Sequence, residues 1–409
     1  MEPPDRDAGL RAIVDRPLRV FLDCHADCDR DYLVTELEYV HFVRDRTLSD
    51  VHVLLTSLGA GGGGEQFTLT FTGQEVFAAR HDTIVFVTPP GVPDDGEREM
   101  LRRAIARGLF PFVSRTSAAA QLDVVLARET DAASQAMGVD PWNGWVFEFE
   151  VDGSADIQER RRSWGSEGEF NARRITPHWK VEMEVEGEYE GDEFELSGGR
   201  EASSTLVSYG ANALVVRSLS SRLSAGFTAS VAHSDFFNQQ LSTRVGPAVE
   251  YNFLDWSQAT RQQVTLRYSI GASHFNYLEQ TIYLRDSETR VSQYVGIAGR
   301  LRQPWGSVNS SMVFGNIVDE PSLNVLTLDA FAEVRVTSGF NVFAEVETSR
   351  VRNQLYIPRG DLTDEEILLG QRALATGYEF EMRIGFSYTF GSIFNTIVNP
   401  RFGSGIDIL

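Results

Sequence analysis

Residues 377–390 read Gly377-Tyr378-Glu379-Phe380-Glu381-Met382-Arg383-Ile384-Gly385-Phe386-Ser387-Tyr388-Thr389-Phe390. Side chains alternate across an extended strand. Tyr378, Phe380, Met382, Ile384, Phe386, Tyr388 and Phe390 therefore share one face, and Glu379, Glu381, Arg383, Gly385, Ser387 and Thr389 share the other. One face is wholly apolar; the other is charged or small. A soluble sheet could turn such an apolar face to a core. The pattern recurs through the C-terminal two-thirds of the chain, however, and no helical period intervenes to cover so many apolar faces. A closed barrel in lipid meets that requirement: its apolar face meets hydrocarbon, its polar face lines a lumen, and closure pairs every backbone group.

The pattern yields about twelve strands, at roughly 145–152, 164–175, 179–189, 203–217, 223–232, 241–252, 261–272, 291–300, 307–316, 323–336, 340–351 and 377–390. The third is the most regular, with Trp179, Val181, Met183, Val185 and Tyr189 opposite Lys180, Glu182, Glu184, Glu186 and Glu188. Connections predicted to be short (176–177, 218–222, 303–306, 337–339) alternate with longer ones (190–200, 275–288, 353–376), and 253–260 is intermediate. Short turns on one side and long loops on the other are characteristic of bacterial barrels. An even strand number places both ends of the chain on the short-turn, periplasmic side.

Composition is compatible with this reading. The 409-residue chain is long enough for two domains. A net charge of −21 excludes a nucleic-acid partner that needs a basic stripe. No run approaches the roughly 20 apolar residues of a membrane helix, which says nothing against a barrel, because a strand gives only half its residues to lipid. The 26 Phe and 12 Tyr are an ample supply for interfacial girdles or for a β core. Met1 to Asp7 (Met-Glu-Pro-Pro-Asp-Arg-Asp) has neither a basic region nor an apolar one, so no export signal is legible there. With a barrel downstream, the expectation is a mature form or a misplaced start.

Ahead of the strands, residues 1–128 read as a small α/β domain. Strands are expected at 18–23, 51–58, 66–73, 83–88 and 121–127. Helices are expected at 29–46, from the spacing of Leu33, Leu37, Val40 and Val43, and at 95–107; Asp29 or Asp31 could cap the first. Gly61, Gly62, Gly63 and Gly64 lie between two strands rather than between strand and helix, and no Gly-Lys-Ser/Thr succeeds them. They read as a hairpin tip and a contact surface, not a phosphate cradle. Cys24 and Cys28, the only cysteines, are candidates for a local disulfide in an oxidising compartment; two free thiols are the alternative. No second ligand cluster completes a metal site, and no cofactor is implied. Residues 129–141 read as a linker, 142–390 as the barrel and 391–409 as a periplasmic tail. Trp142 and Trp145 stand where a chain entering a bilayer would place an interfacial belt.

Arg383, Gly385, Tyr388 and Phe390 also look like the last-strand signal read by the bacterial outer-membrane assembly machinery, although here a tail extends beyond it. The chain as a whole resembles a family of uncharacterised bacterial outer-membrane β-barrel proteins with a small periplasmic α/β domain. The residues behind this are Val43-Arg44-Asp45-Arg46, Asp50-Val51-His52-Val53-Leu54, the glycine hairpin, Asp140-Pro141-Trp142-Asn143-Gly144-Trp145-Val146-Phe147 and Tyr388-Thr389-Phe390-Gly391-Ser392-Ile393-Phe394-Asn395. The resemblance implies location and architecture but no substrate. Expected partners are outer-membrane lipid, the assembly machinery and a periplasmic or membrane protein bound through the N-terminal domain.

On the barrel reading, Glu148, Glu150, Lys180, Glu182, Glu184, Arg244, Arg267, Asp329, Glu333, Arg335, Glu345, Glu379, Glu381 and Arg383 line the lumen. Closure would bring Glu148 and Glu150 beside Glu379, Glu381 and Arg383. Such a lining suits a cation-favouring pore, a polar binding cavity, or a lumen filled by carboxylate–guanidinium pairs. His178, His233 and His274 invite comparison with barrel-embedded hydrolases. No Gly-x-Ser-x-Gly elbow is present and no Asp is spaced to orient a His, so no enzyme is expected. The rival from another class is a soluble β-sandwich binding protein with an α/β appendage.

Overall fold

The computed structural model describes residues 16–61, 63–89, 91–121, 140–196, 200–303, 305–337, 340–360 and 377–389. They form two bodies. The N-terminal one is a five-stranded sheet of order β2-β1-β3-β4-β5. Its strands are β1 (Leu18–Cys24), β2 (Val40–Phe42), β3 (Val51–Gly59), β4 (Glu65–Gly73) and β5 (His81–Val87). β1 runs parallel to β2 and β3, and β3, β4 and β5 run antiparallel. Helix α1 (Arg30–Glu36) comes after β1, and α2 (Asp94–Val113) after β5. The core is apolar and closed to solvent: Leu18, Leu33, Val51, Phe67, Leu69, Phe71, Ile105 and Leu109 are each 0% exposed. Gly108 of α2 lies directly against the Phe71 ring, so a side chain there would displace it.

Two expectations in this domain change. The first helix stops at Glu36 instead of running to Arg46. Val40 and Val43 do sit in the core at helical spacing, but Val40–Phe42 pairs with Leu18–Val20. The open edge of β1 offers backbone partners that a longer helix would forgo. Asp29 caps α1, accepting from the Tyr32 backbone N–H at 2.9 Å. The last expected strand, 121–127, lies outside the described residues except for Gln121, which ends a 3-10 turn. Cys24 and Cys28 are joined by a disulfide just before α1.

The C-terminal body is one twelve-stranded antiparallel sheet in which every strand pairs with its neighbours in sequence. It comprises β6 (Trp145–Ile157), β7 (Arg161–Ile175), β8 (Trp179–Leu196), β9 (Arg200–Ser218), β10 (Leu223–Ser234) and β11 (Gln239–Asn252). It continues through β12 (Gln262–Tyr277), β13 (Ser287–Gln303), β14 (Gly306–Ile317), β15 (Asn324–Thr337), β16 (Phe340–Val351) and β17 (Tyr378–Tyr388). Asp140 sets up the entry turn, accepting from the Trp142 and Gly144 backbones at 2.9 and 2.6 Å, with Gly144 at φ +76°. A single cavity touches residues of every strand from β7 to β16, so the sheet is rolled around it. A sandwich needs two sheets with their apolar faces packed together. This is one rolled sheet with its apolar face outward, which removes that rival.

Some boundaries move. The expected loop at 190–200 is mostly strand, because β8 and β9 pair as far as Leu196 and Arg200. Charges occupy both faces there, which hides the alternation. Likewise β12 runs to Tyr277 and β13 begins at Ser287, shortening the connection to 278–286. β17 ends at Tyr388; Phe390 and the tail lie outside the described residues. Finally, no ladder joins β6 to β17 among the described residues, so the expected approach of Glu148 and Glu150 to Glu379, Glu381 and Arg383 is not made. Glu148 pairs instead with Arg173 at 3.2 Å, and Arg383 with Glu345 at 3.3 Å.

Candidate pore interior and its two ends

The sheet separates its residues by parity. Every strand of the array except β16 presents a large apolar side chain that remains exposed on the outer face, among them Phe149, Val185, Phe227, Val245, Ile297 and Ile384. The inner face is polar. Cross-strand register stacks Arg173 beside Glu182, Glu184 beside Asn212, Ser230 beside Arg244, and Glu250 beside Arg267. It continues through Ser311 beside Asp329 and Glu345 beside Arg383.

Two cavities fill the interior. One, about 640 Å³, is lined by Glu182, Glu184, Arg244 and Arg267, with Asn171, Arg173 and Asn212. The other, about 1230 Å³, is lined by Lys180, Arg267, Asp329 and Glu345, with His178, Arg300 and Glu347. Arg267 borders both. Much of the wall is neutralised locally. Arg267 holds Glu250 at 2.5 Å and Lys180 holds Glu182 at 2.9 Å, while the Arg244 guanidinium lies 4.4 Å from the Tyr294 ring centroid. These charges keep contact with solvent, so each pair is worth no more than about 1 kcal/mol.

The remaining lumen candidates are placed by register. Glu150 stands opposite Glu169, Glu379 opposite Ser349 and Glu381 opposite Glu347, along the two unpaired edges of the sheet. Gly385 has a local reason to be glycine, since a Cβ there would strike the Phe343 ring on β16. Sequence reading missed Glu250 and Arg173, although both obey the same alternation as Arg244 and Lys180. The histidines are held separately. His233 stacks on Tyr209 at 4.7 Å with Asp235 at 3.2 Å, His274 lies 2.8 Å from the Thr289 hydroxyl, and His178 lines the larger cavity.

Loops gather at one end. Asn238, between β10 and β11, donates to the Glu279 and Tyr356 carbonyls at 2.9 and 3.1 Å. The Ile282 N–H donates to the Ile357 carbonyl, and Phe237 packs edge-on against Tyr356. Connections leaving β10, β12 and β16 are thus tied together.

At the other end lies the N-terminal domain. Arg335 and Glu333, expected to line the lumen, are near the end of β15 at the rim. Arg335 reaches out of β15 to Asp23, with nitrogen–oxygen distances of 3.2 and 3.3 Å, and its guanidinium lies 4.9 Å from the Phe21 ring centroid. Asp23 is buried, and His52 Nε2 lies 2.9 Å from Oδ2, the oxygen that also accepts from Arg335 Nη1. Burial would raise the Asp23 carboxyl, but His52 and Arg335 outweigh it and hold the pKa at about 2. Burial lowers that of His25, whose Nε2 is 3.5 Å from Asp23. Asp50 is similarly buried, and the Arg16 and Arg19 guanidiniums hold it below the ordinary carboxylate range. Among the described residues no group of His, Cys, Asp and Glu is arranged to hold a metal ion.

No protein-family model matches the chain, and no curated protein matches its sequence. Two solved structures are similar in strand arrangement. One is the "CymD monoaromatic hydrocarbon channel", with TM-score 0.26 and 7% identity over 61% of this chain and 87% of that one. The other is the translocator domain of autotransporter NalP from Neisseria meningitidis, with TM-score 0.18 and 11% identity over 60% and 82%. At such scores neither likeness says anything about this chain's activity or location.

Proposed function

We propose that this chain is an outer-membrane β-barrel that passes small polar solutes passively through an acid-rich, charged lumen, with its N-terminal domain in the periplasm. The observation that carries the reading is the exposed apolar belt around a polar, cavity-bearing interior. Soluble monomers rarely expose contiguous apolar patches larger than a few hundred Å², and here nearly every strand contributes to one. Hydrocarbon is the solvent that makes such a surface favourable, and strands of 11 to 19 residues meet or exceed the roughly 9–11 that a tilted strand needs to cross it. No helix among the described residues is long and apolar enough to span a bilayer; in this reading the strands span it.

The role is transport or interaction rather than chemistry. The inner wall offers many paired charges in regular alternation, and among the described residues no nucleophile, base and orienting group stand apart from the rest. Lipid is the principal partner. The assembly machinery is the second, through Arg383, Gly385, Tyr388 and Phe390; a periplasmic or membrane protein bound to the N-terminal domain is the third. The Cys24–Cys28 disulfide suits an oxidising compartment.

The test is expression with an export signal, then membrane fractionation and gel mobility with and without boiling. Recovery in the outer-membrane fraction, mobility that shifts on boiling and conductance in planar bilayers are expected. Solubility without detergent and unchanged mobility would overturn the reading.

A further inference from the structure

Among the described residues the N-terminal domain touches the barrel at β13 and β15 on one side of the ring and at β7 on the other. The Arg302 side chain, at the end of β13, donates to the Ser57 carbonyl of β3 at 3.3 Å. Gly61, in the turn after β3, abuts Ile175 at the end of β7 so closely that a side chain at 61 would collide with it. Arg335, at the end of β15, clasps Asp23 of β1 and covers Phe21. β7 and β13 are six places apart in a sheet of twelve, which puts them on opposite walls once the sheet is rolled.

The chain from Ser57 to Gly61 therefore runs from one wall towards the other. Twelve strands about 4.8 Å apart, tilted by roughly 40°, make a ring on the order of 24 Å across. Four residues of strand cover about 13 Å, and the extended Arg302 side chain adds several more. Hairpin and arginine together nearly match the opening. The larger cavity lies at the same end, lined by 176–180 and 218–221 as well as by the inner walls.

We infer that the N-terminal domain is a gate across this end of the lumen, with the β3–β4 hairpin as its bar and Arg335–Asp23 as its clasp. This rests on the pore reading above. The described contacts are few, two of the three resting on arginine hydrogen bonds, as suits a reversible closure, since small polar interfaces within a chain permit relative motion. The clasp is two charge-assisted hydrogen bonds plus a stacked ring, a geometry that arginine supplies and lysine does not. Glycine at 61 is what lets the bar seat against the rim.

The experiment uses the full chain in planar bilayers, with heat-modifiable mobility confirming that each variant is folded. Wild type is compared with Arg335→Glu, with Asp23→Asn as the milder second variant. A third protein carries Gly61→Cys with Ile175→Cys, the second change removing the branched side chain that Gly61 abuts, and is bridged by a disulfide formed under oxidising conditions; Cys24 and Cys28 are already paired with each other. The expected result is at least a tenfold rise in open-state occupancy for Arg335→Glu, a smaller rise for Asp23→Asn, unchanged unitary conductance, and silence in the bridged protein. Equal occupancy in wild type and both clasp variants, or a bridged protein that conducts like the unbridged one, overturns the gate while leaving the pore standing. If the bridge forms but no variant conducts, the pore reading fails and the gate with it.

Discussion

β4 and β17 carry nearly the same pattern and end in opposite environments. In β4, Phe67, Leu69 and Phe71 alternate with Thr68, Thr70 and Thr72, and all three apolar side chains are 0% exposed. In β17, Phe380, Met382, Ile384 and Phe386 alternate with Glu381, Arg383 and Gly385, and they are 54% to 70% exposed. The difference lies in the next elements along the chain. After β5 comes α2, whose Leu101, Ile105, Leu109 and Phe112 cover the sheet face. Beyond β6 there is no α-helix among the described residues, and the strands have only each other. Alternation shows that a strand has two unlike faces; it does not say which medium touches the apolar one.

Truncating the covered face should have the largest effect. Phe71→Ala removes a fully buried ring packed on Gly108, and a loss of about 3–5 kcal/mol is expected. Hydrogen exchange of β3 and β4 amides should report it, with barrel amides unaffected. Equal loosening of both regions would mean that they are not separate cooperative units.

A second test contrasts neighbouring residues on opposite faces. Val245 points outward at 46% exposure, and Arg244 points inward onto Tyr294. Near the bilayer midplane Val245→Arg should cost about 2–4 kcal/mol in lipid, whereas Arg244→Val should cost no more than about 1 kcal/mol, the worth of one cation–π contact. Refolding into vesicles, scored by the heat-modifiable band, reads both. Similar losses at the two sites would mean that the faces are misassigned.

The smallest effect is confined to acid. The Asp23 and Asp50 carboxyls both titrate lower in the folded domain than the ordinary value of 3.8. Their stabilisation is therefore fully present above about pH 4 and is lost as pH falls through the folded value, about 2 for Asp23. Exchange of β1 amides and of the domain–barrel contacts should rise across that window. No change between pH 4 and pH 2 would detach the Asp23 clasp from domain docking.

Much of this architecture is legible in the chain. Twelve strands, their faces and most of their turns emerge from period-two alternation, because an exposed apolar outer face and a polar, cavity-lining inner face impose it residue by residue. In β8 and β9 around 190–200, both faces carry charge, and the signal vanishes. The length of α1 is not legible, because Val40 is buried at helical spacing yet paired to the edge of β1. A parallel partner more than twenty residues away leaves no local mark. Inward Glu250 and Arg173 obey the alternation, and that signal is enough to find them.

Local chemistry in the sequence determined which residues face apart, where the turns fall, and that Cys24 and Cys28 are near enough to pair. Tertiary structure alone decided that the barrel-like sheet leaves β6 and β17 unpaired among the described residues. It also decided that Arg335 reaches Asp23 across 312 positions, and that the glycine hairpin meets its own barrel rather than a phosphate. The reason is physical. Periodicity is imposed on each residue by the medium beside it, whereas a contact between distant segments depends on how the rolled sheet brings its rim to another domain.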